Sequence, residues 1–566
     1  MIRALLLASA CLLTPVAAQA QAVQSSPQTL TTGAARAPEQ EAVRFDRADL
    51  AFRVVPEAKR LHGDATLTFT AVAAVSRLVV DLDSRFTVER VEIDGEPLSA
   101  DDDWGDDDGR MWLDIGRQLK PGEAVRARIV YSGVPHEAKN APWDGGFVWK
   151  TAPSGEPWIA TAVQGEGCDL FWPCIDHPQG EPARVDTAVT VPASLAAPGN
   201  GRFVGKTDNA DGTTTWRWSA RDVTPYGVSI NVGPFVERAG EYRSRFGNVI
   251  PMRFWHLKTD PLPKVDALWA EFPKMLEFYE ATVGPYPFAD EKMGVVETPH
   301  LGMEHQTINA YGNGYKVDKR GYDWLLQHEL AHEWFGNQLT NADWDHMWLH
   351  EGLGTYMQPL YARWLEGEGA MQSELRTFRF DVANRFPLVS GKPQTSNAVY
   401  EDATGPGLDL YYKAALVMHS LRMLVGDEDF WEIVRRSVYG RPDPAPGNFQ
   451  PRYGTTREFM AITREVTGRD LNWFFDAYLY QAALPRLEQT RNGEQVRLRW
   501  TAGGGGPFPM PLEVEVGGRR QTLPMTGGTG VIAAPGGAHI LIDPDNKVLR
   551  QSDTVDRYRA SQRTAG

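Results

Sequence analysis

The chain reads as a multidomain α+β protein, with a large β-rich region first, a mainly helical region in the middle and a small β-sandwich at the end. Three patterns predict this. Ala65, Leu67, Phe69 and Ala71 alternate with Thr66, Thr68 and Thr70, and Val125, Ala127, Ile129 and Tyr131 alternate with Arg126 and Arg128, the period of half-buried strands. Leu416, Val417, Leu421 and Leu424 then recur at helical spacing, as do Trp431, Ile433 and Val434. After Leu484-Pro485 the period returns to two, through Val496, Leu498 and Trp500 and again through Leu512, Val514 and Val516.

A length of 566 residues exceeds one ordinary hydrophobic core, so several domains are expected. Residues 1–20 carry Arg3, an apolar run from Ala4 to Leu13 and the small-x-small end Ala18-Gln19-Ala20, the signature of a cleaved export signal. The expected layout is then a signal peptide at 1–20, a linker at 21–40, an N-terminal β domain at 41–240, a mainly helical domain at 241–484, the sandwich at 485–552 and a disordered tail at 553–566. Location would be periplasmic or secreted, with lipid attachment at Cys11 as the lesser alternative. No later stretch is apolar enough for a transmembrane segment. The formal charge of −15 becomes −16 once Arg3 leaves with the signal, which disfavours nucleic acid as a partner. Cys168 and Cys174, six apart, either pair in an oxidising compartment or remain buried thiols. The acidic run Asp101 to Asp108 lacks the spacing of a calcium loop and is expected to be a hairpin tip.

Chemistry concentrates in the helical region. His328-Glu329-Leu330-Ala331-His332 puts two imidazoles one helical turn apart on one face, with Glu329 beside them. Glu351 follows with eighteen residues between it and His332. Two histidines and a glutamate leave a fourth position open on a bound Zn2+, the ligand set of a catalytic site, whereas structural zinc is usually closed by cysteines. Zinc would bring water to a nucleophilic state near neutral pH, and Glu329 would be the general base.

These residues, together with HELAHEWFGN at 328–337, Gly302-Met303-Glu304-His305 just upstream and Tyr411-Tyr412-Lys413-Ala414 downstream, resemble the aminopeptidase N family of gluzincins, whose relatives include aminopeptidase B and the leukotriene hydrolases. The resemblance spans essentially the whole chain after the signal. It implies a saddle-like N-terminal β-sheet domain, a thermolysin-like catalytic domain and a C-terminal β-sandwich, without the large fourth helical domain of the longest members. It also implies one Zn2+ per chain on His328, His332 and Glu351, and peptide substrates with a free N-terminus. In the site it makes Glu304 the carboxylate that receives the substrate's ammonium, beside Gly302 and Met303, and Tyr411 the phenol that donates to the oxyanion, with Tyr412 packed. A second polar group for the amine is expected from Val163-Gln164-Gly165-Glu166-Gly167. Gln164 is favoured there, and Glu166 is the alternative. Three departures put the first specificity pocket in doubt: His305 stands in place of the motif asparagine, Leu301 in place of a glycine, and His350 in place of the asparagine before the zinc glutamate. A thermolysin-like endopeptidase and a catalytically silent peptide-binding protein are the rival readings.

Overall fold

The structure, a computed structural model, describes residues 25–401 and 403–565. The expected signal peptide, Cys11 and the first residues of the expected linker lie outside the described residues.

The first region is built on an eight-stranded sheet ordered Arg202–Asp208, Thr213–Arg221, Arg184–Pro192, Val43–Val55, Arg60–Ala71, Ala124–Gly133, Thr87–Ile93 and Glu96–Pro97. Register explains the alternation. Leu67 pairs with Ala48 on one side and Ala127 on the other, and Phe69 pairs with Phe45 and Val125, so these apolar side chains share one buried face. Burying a side chain such as Leu67 or Phe69 contributes about 1.5–3 kcal/mol. Two three-stranded sheets complete the region. In one, Trp104–Asp107 forms a hairpin with Arg110–Leu119, so the acidic run is part of a hairpin. In the other, Pro157–Ala162 runs between Gly146–Thr151 and Asn231–Val232 and ends two residues before Gln164.

A second sheet carries the site. Its strands are Phe235–Arg243 (β1), Val249–Leu257 (β2), Met293–Glu297 (β3), Gly302–Met303 (β4) and Asn309–Tyr311 (β5), in the order β1-β2-β3-β5-β4. The expected boundary at residue 240 therefore falls inside β1 and has to move toward the N-terminus. Alternation marks a strand without saying to which sheet it belongs, and β1 pairs along its whole length with β2. Helices Trp324–Ala331 (α1), Trp348–Glu366 (α2), Glu368–Asp381 (α3), Ser396–Tyr400 (α4) and Tyr412–Val425 (α5) pack beyond this sheet. None of the described helices is long and apolar enough to cross a membrane.

The terminal sandwich consists of Arg486–Asn492, Gln495–Thr501 and Thr529–Ala533 facing Arg519–Leu523, Leu512–Val516 and Ile540–Ile542. Its buried Val496, Leu498 and Val514 belong to the same apolar cluster as the helical region, while a second cluster fills the N-terminal sheets and takes in Met303 and Ala310. Two expectations about the chain ends are corrected. The linker is packed from Ser25 onward, with Thr29 and Thr32 buried and Thr32 Oγ1 donating to Asp176 at 2.8 Å. The tail forms a helix, Asp553–Ala565 (α6), instead of being disordered: Tyr558 packs on Phe380 with ring centroids 4.6 Å apart, and Arg559 Nη2 donates to Arg379 O at the end of α3. Acidic Asp553 and Asp556 in its first turn also suit a helix start. The polar composition of the segment concealed these few anchoring side chains.

Candidate metal and substrate site

The start of α1 is set by Asp323, whose side chain accepts from the Leu325 and Leu326 amides at 3.0 and 3.1 Å. The helix stops after His332, where the chain opens into a wide turn and Gly336 adopts φ 147°, a conformation that glycine takes without cost. His332 thus sits at the end of a rigid turn. Its Nδ1 donates to Phe335 O at 2.8 Å, and because a carbonyl can only accept, Nε2 is left with its lone pair. The Gln358 side-chain amide lies 3.2 Å from His328 Nδ1.

The two Nε2 atoms are 3.2 Å apart, and Glu351 Oε2, from the first turn of α2, lies 3.5 Å from that of His332 and 3.9 Å from that of His328. Ligands at ~2.0–2.2 Å from a tetrahedral zinc stand roughly 3.3–3.5 Å from one another. Glu351 is 3 % exposed and its Oε2 has no hydrogen-bond partner, an arrangement that is costly for a carboxylate oxygen unless a cation takes the position. The donor set fits zinc on these grounds. Cys168 and Cys174, near another carboxylate, Asp176, are joined in a disulfide and are not available to a metal.

Glu329 is enclosed on the same helix, and a β-carbon at Gly302 would come within 2.3 Å of its Oε1, so β4 passes against the carboxylate. Burial first, and then the charges of Glu304 and Glu351, push the Glu329 carboxyl well above its ordinary value. Glu304 leaves the end of β4 and is 4 % exposed. It accepts from Tyr226 Oη at 2.6 Å and from Gln164 Nε2, and His350 Nε2 is 3.4 Å away. Burial opposes its ionisation, but His350, His332 and the Tyr226 hydroxyl outweigh burial and hold it well below the usual carboxylate range. His350 also stands edge-on to His332, with centroids 4.5 Å apart, and so lies between Glu304 and the ligand set.

Of the two polar candidates on the 163–167 segment, Gln164 reaches Glu304, whereas the Glu166 carboxylate lies against Gly145. Tyr411 Oη donates to Glu351 Oε1 at 2.8 Å and its ring stacks near His328; Tyr412 packs on Phe378. Met303 is buried against the N-terminal core. His305 is fully enclosed with no partner for either ring nitrogen, and burial lowers it to about 4, so it contributes bulk and not charge. Tyr226 and Tyr400 were not legible as site residues. Tyr400 donates to Glu351 Oε1 at 3.1 Å, yet nothing in its local sequence distinguishes it from a packed aromatic.

Residues 274–478 match the Peptidase family M1 domain. Over that span the chain is similar to peptidase family M1. Its M1 domain takes in α1, both histidines, Glu329, Glu351 and Tyr411. Leucine aminopeptidase 2 of Vanderwaltozyma polyspora is 24% identical over 346 residues, covering 59% of this chain and 50% of its own. Aminopeptidase N of Haemonchus contortus is 26% identical over 344 residues, covering 56% of this chain and 33% of its own. The chain spans about half the length of the curated relatives it matches. Among solved structures, an M1 zinc metallopeptidase of Deinococcus radiodurans, a Glu-to-Ala mutant bound to a Tyr-Ser-Ala substrate, superposes with TM-score 0.65 at 25% identity, over 79% of this chain and 96% of that one. A two-domain M1 zinc metallopeptidase bound to L-tryptophan gives 0.66 at 26% identity with the same coverage.

Proposed function

We propose that this chain is a zinc-dependent aminopeptidase of peptidase family M1 that holds one Zn2+ on His328, His332 and Glu351 and hydrolyses the first peptide bond of peptides with a free N-terminus. One observation carries the reading: a buried carboxylate, Glu304, is presented next to the three-ligand set by donors from both the N-terminal region and the M1 domain. An anion fixed there selects a substrate ammonium and places the bond beside it at the ligand set. An endopeptidase would have no use for it. The solved relatives bound to a tripeptide and to single amino acids support the same substrate class.

When bound, zinc supplies Lewis acidity toward water and the substrate carbonyl. Glu329 takes the proton from the attacking water and returns it to the leaving amine, and surroundings that raise its pKa favour the carboxyl once it has accepted that proton. Tyr411 donates to the oxygen on which negative charge develops. Gln164 and Tyr226 hold Glu304 in one orientation, so the substrate amine meets a fixed acceptor.

Removal of zinc by a chelator should abolish peptide hydrolysis, and added zinc should restore it. Full turnover by protein shown metal-free by elemental analysis would contradict the proposal. The reading extends to export through a cleaved signal at residues 1–20, supported by the Cys168–Cys174 disulfide, which suits an oxidising compartment. N-terminal sequencing of protein recovered from the periplasm or medium should begin near residue 21 or 23, and a retained Met1 would argue against it.

A further inference from the structure

Glu351 is shared by two tyrosines on one oxygen. Tyr411 Oη and Tyr400 Oη both donate to Oε1, at 2.8 and 3.1 Å, while Oε2 faces the histidines. A phenol has a single proton to donate. If Tyr411 serves the substrate oxygen, as proposed above, it must release Glu351 as it does so. A buried carboxylate that loses its donor is destabilised, and a ligand carboxylate freed on one side can also turn.

Besides its interaction with the neighbouring Tyr411, Tyr400 is anchored through the helix it ends. It ends α4, whose Ser396 amide donates to Thr32 O at 3.1 Å, whose Ser396 hydroxyl donates to Gly165 O, and whose Asn397 Nδ2 donates to Thr31 Oγ1 at 2.8 Å. Its ring packs edge-on against buried Trp344, with centroids 5.8 Å apart. Tyr411, by contrast, sits between the short helical turn Gly407–Leu410 and the start of α5.

We propose that Tyr400 is a positioning residue that keeps Glu351 Oε1 hydrogen-bonded while Tyr411 turns to the substrate. The proposal rests on the reading of Tyr411 as the oxyanion donor. It makes the two tyrosines interchangeable toward Glu351 but not toward the substrate. In the resting state either one holds the carboxylate; during reaction only Tyr400 remains there.

The test uses the full chain with Tyr400→Phe, Tyr411→Phe and the double variant, each with zinc affinity measured by chelator competition and kcat and KM measured separately. Phe retains the ring against Trp344, and thermal melts of the variants verify the fold. Each single variant should keep zinc affinity within about threefold of wild type. The double variant should lose ~10-fold or more, the scale of losing an outer partner of a metal ligand and more than the product of the single losses. Tyr400→Phe should lower kcat by ~10-fold with KM nearly unchanged, the pattern of an interaction needed mainly in the transition state. Zinc losses that merely multiply, or a wild-type kcat in Tyr400→Phe, overturn the proposal. Normal turnover by Tyr411→Phe instead removes the donor reading, an outcome separate from the zinc competition.

Discussion

In the proposed reaction Glu329 accepts a proton and passes it on, and the absence of a side chain at Gly302 leaves room for its carboxylate. A β-carbon at 302 would come within 2.3 Å of Oε1 and 2.8 Å of Leu325 Cδ1, so a larger residue there would displace the Glu329 carboxylate from its present position. Glu329→Gln preserves the shape and removes the basic oxygen. The variant should bind zinc normally and lose at least ~100-fold in turnover, measured with metal content determined on the same sample. Near-normal turnover of zinc-loaded protein would take the base role away from Glu329. Residue spacing made His328, Glu329, His332 and Glu351 legible, because a helix converts a spacing of four into a common face. Tyr226, Tyr400 and His350 were not readable in their roles. Tyr226 and Tyr400 lie far along the chain from the groups they touch, and His350 meets Glu304 only through the fold.

At the scale of elements, the edge of the β1–β5 sheet delivers Glu304 and the end of β3 carries a second buried acid, Glu297. Glu297 accepts from the Leu257 amide at 3.1 Å, and Tyr315 Oη bridges it to Asp260. Burial, and then the hydrogen bond and charge of Asp260, raise Glu297 to about 9. The folded state therefore holds a proton that the unfolded chain releases near pH ~4.5, so the stability from this site is complete at low pH and is lost as pH rises toward 9. Glu297→Gln removes that dependence. Relative to wild type, the variant should gain thermal stability between pH 5 and pH 9, followed by melting at both; an unchanged difference would show that Glu297 is not protonated in the fold. Elements themselves were unevenly legible. Alternation revealed the strands, yet β1 carries the same pattern whichever sheet it joins, and α6 depends on two or three side chains docking on α3.

Across the whole molecule, the end of the site proposed to bind the substrate amine is assembled between regions. Gln164 and Tyr226 come from turns of the N-terminal region, Glu304 and His350 from the segment matching the M1 domain, and residues 31–33 tie α4 to the Gly165 and Asp176 backbone. Under the proposed function, exopeptidase behaviour depends on this interface and not on the zinc motif alone. The most direct measurement is mass-spectrometric product analysis of two peptides identical except that one is N-acetylated, each incubated with the zinc-loaded protein. The expected result is release of the first amino acid from the free peptide and little or no cleavage of the blocked one. Efficient internal cleavage of the acetylated peptide would contradict it and favour an endopeptidase.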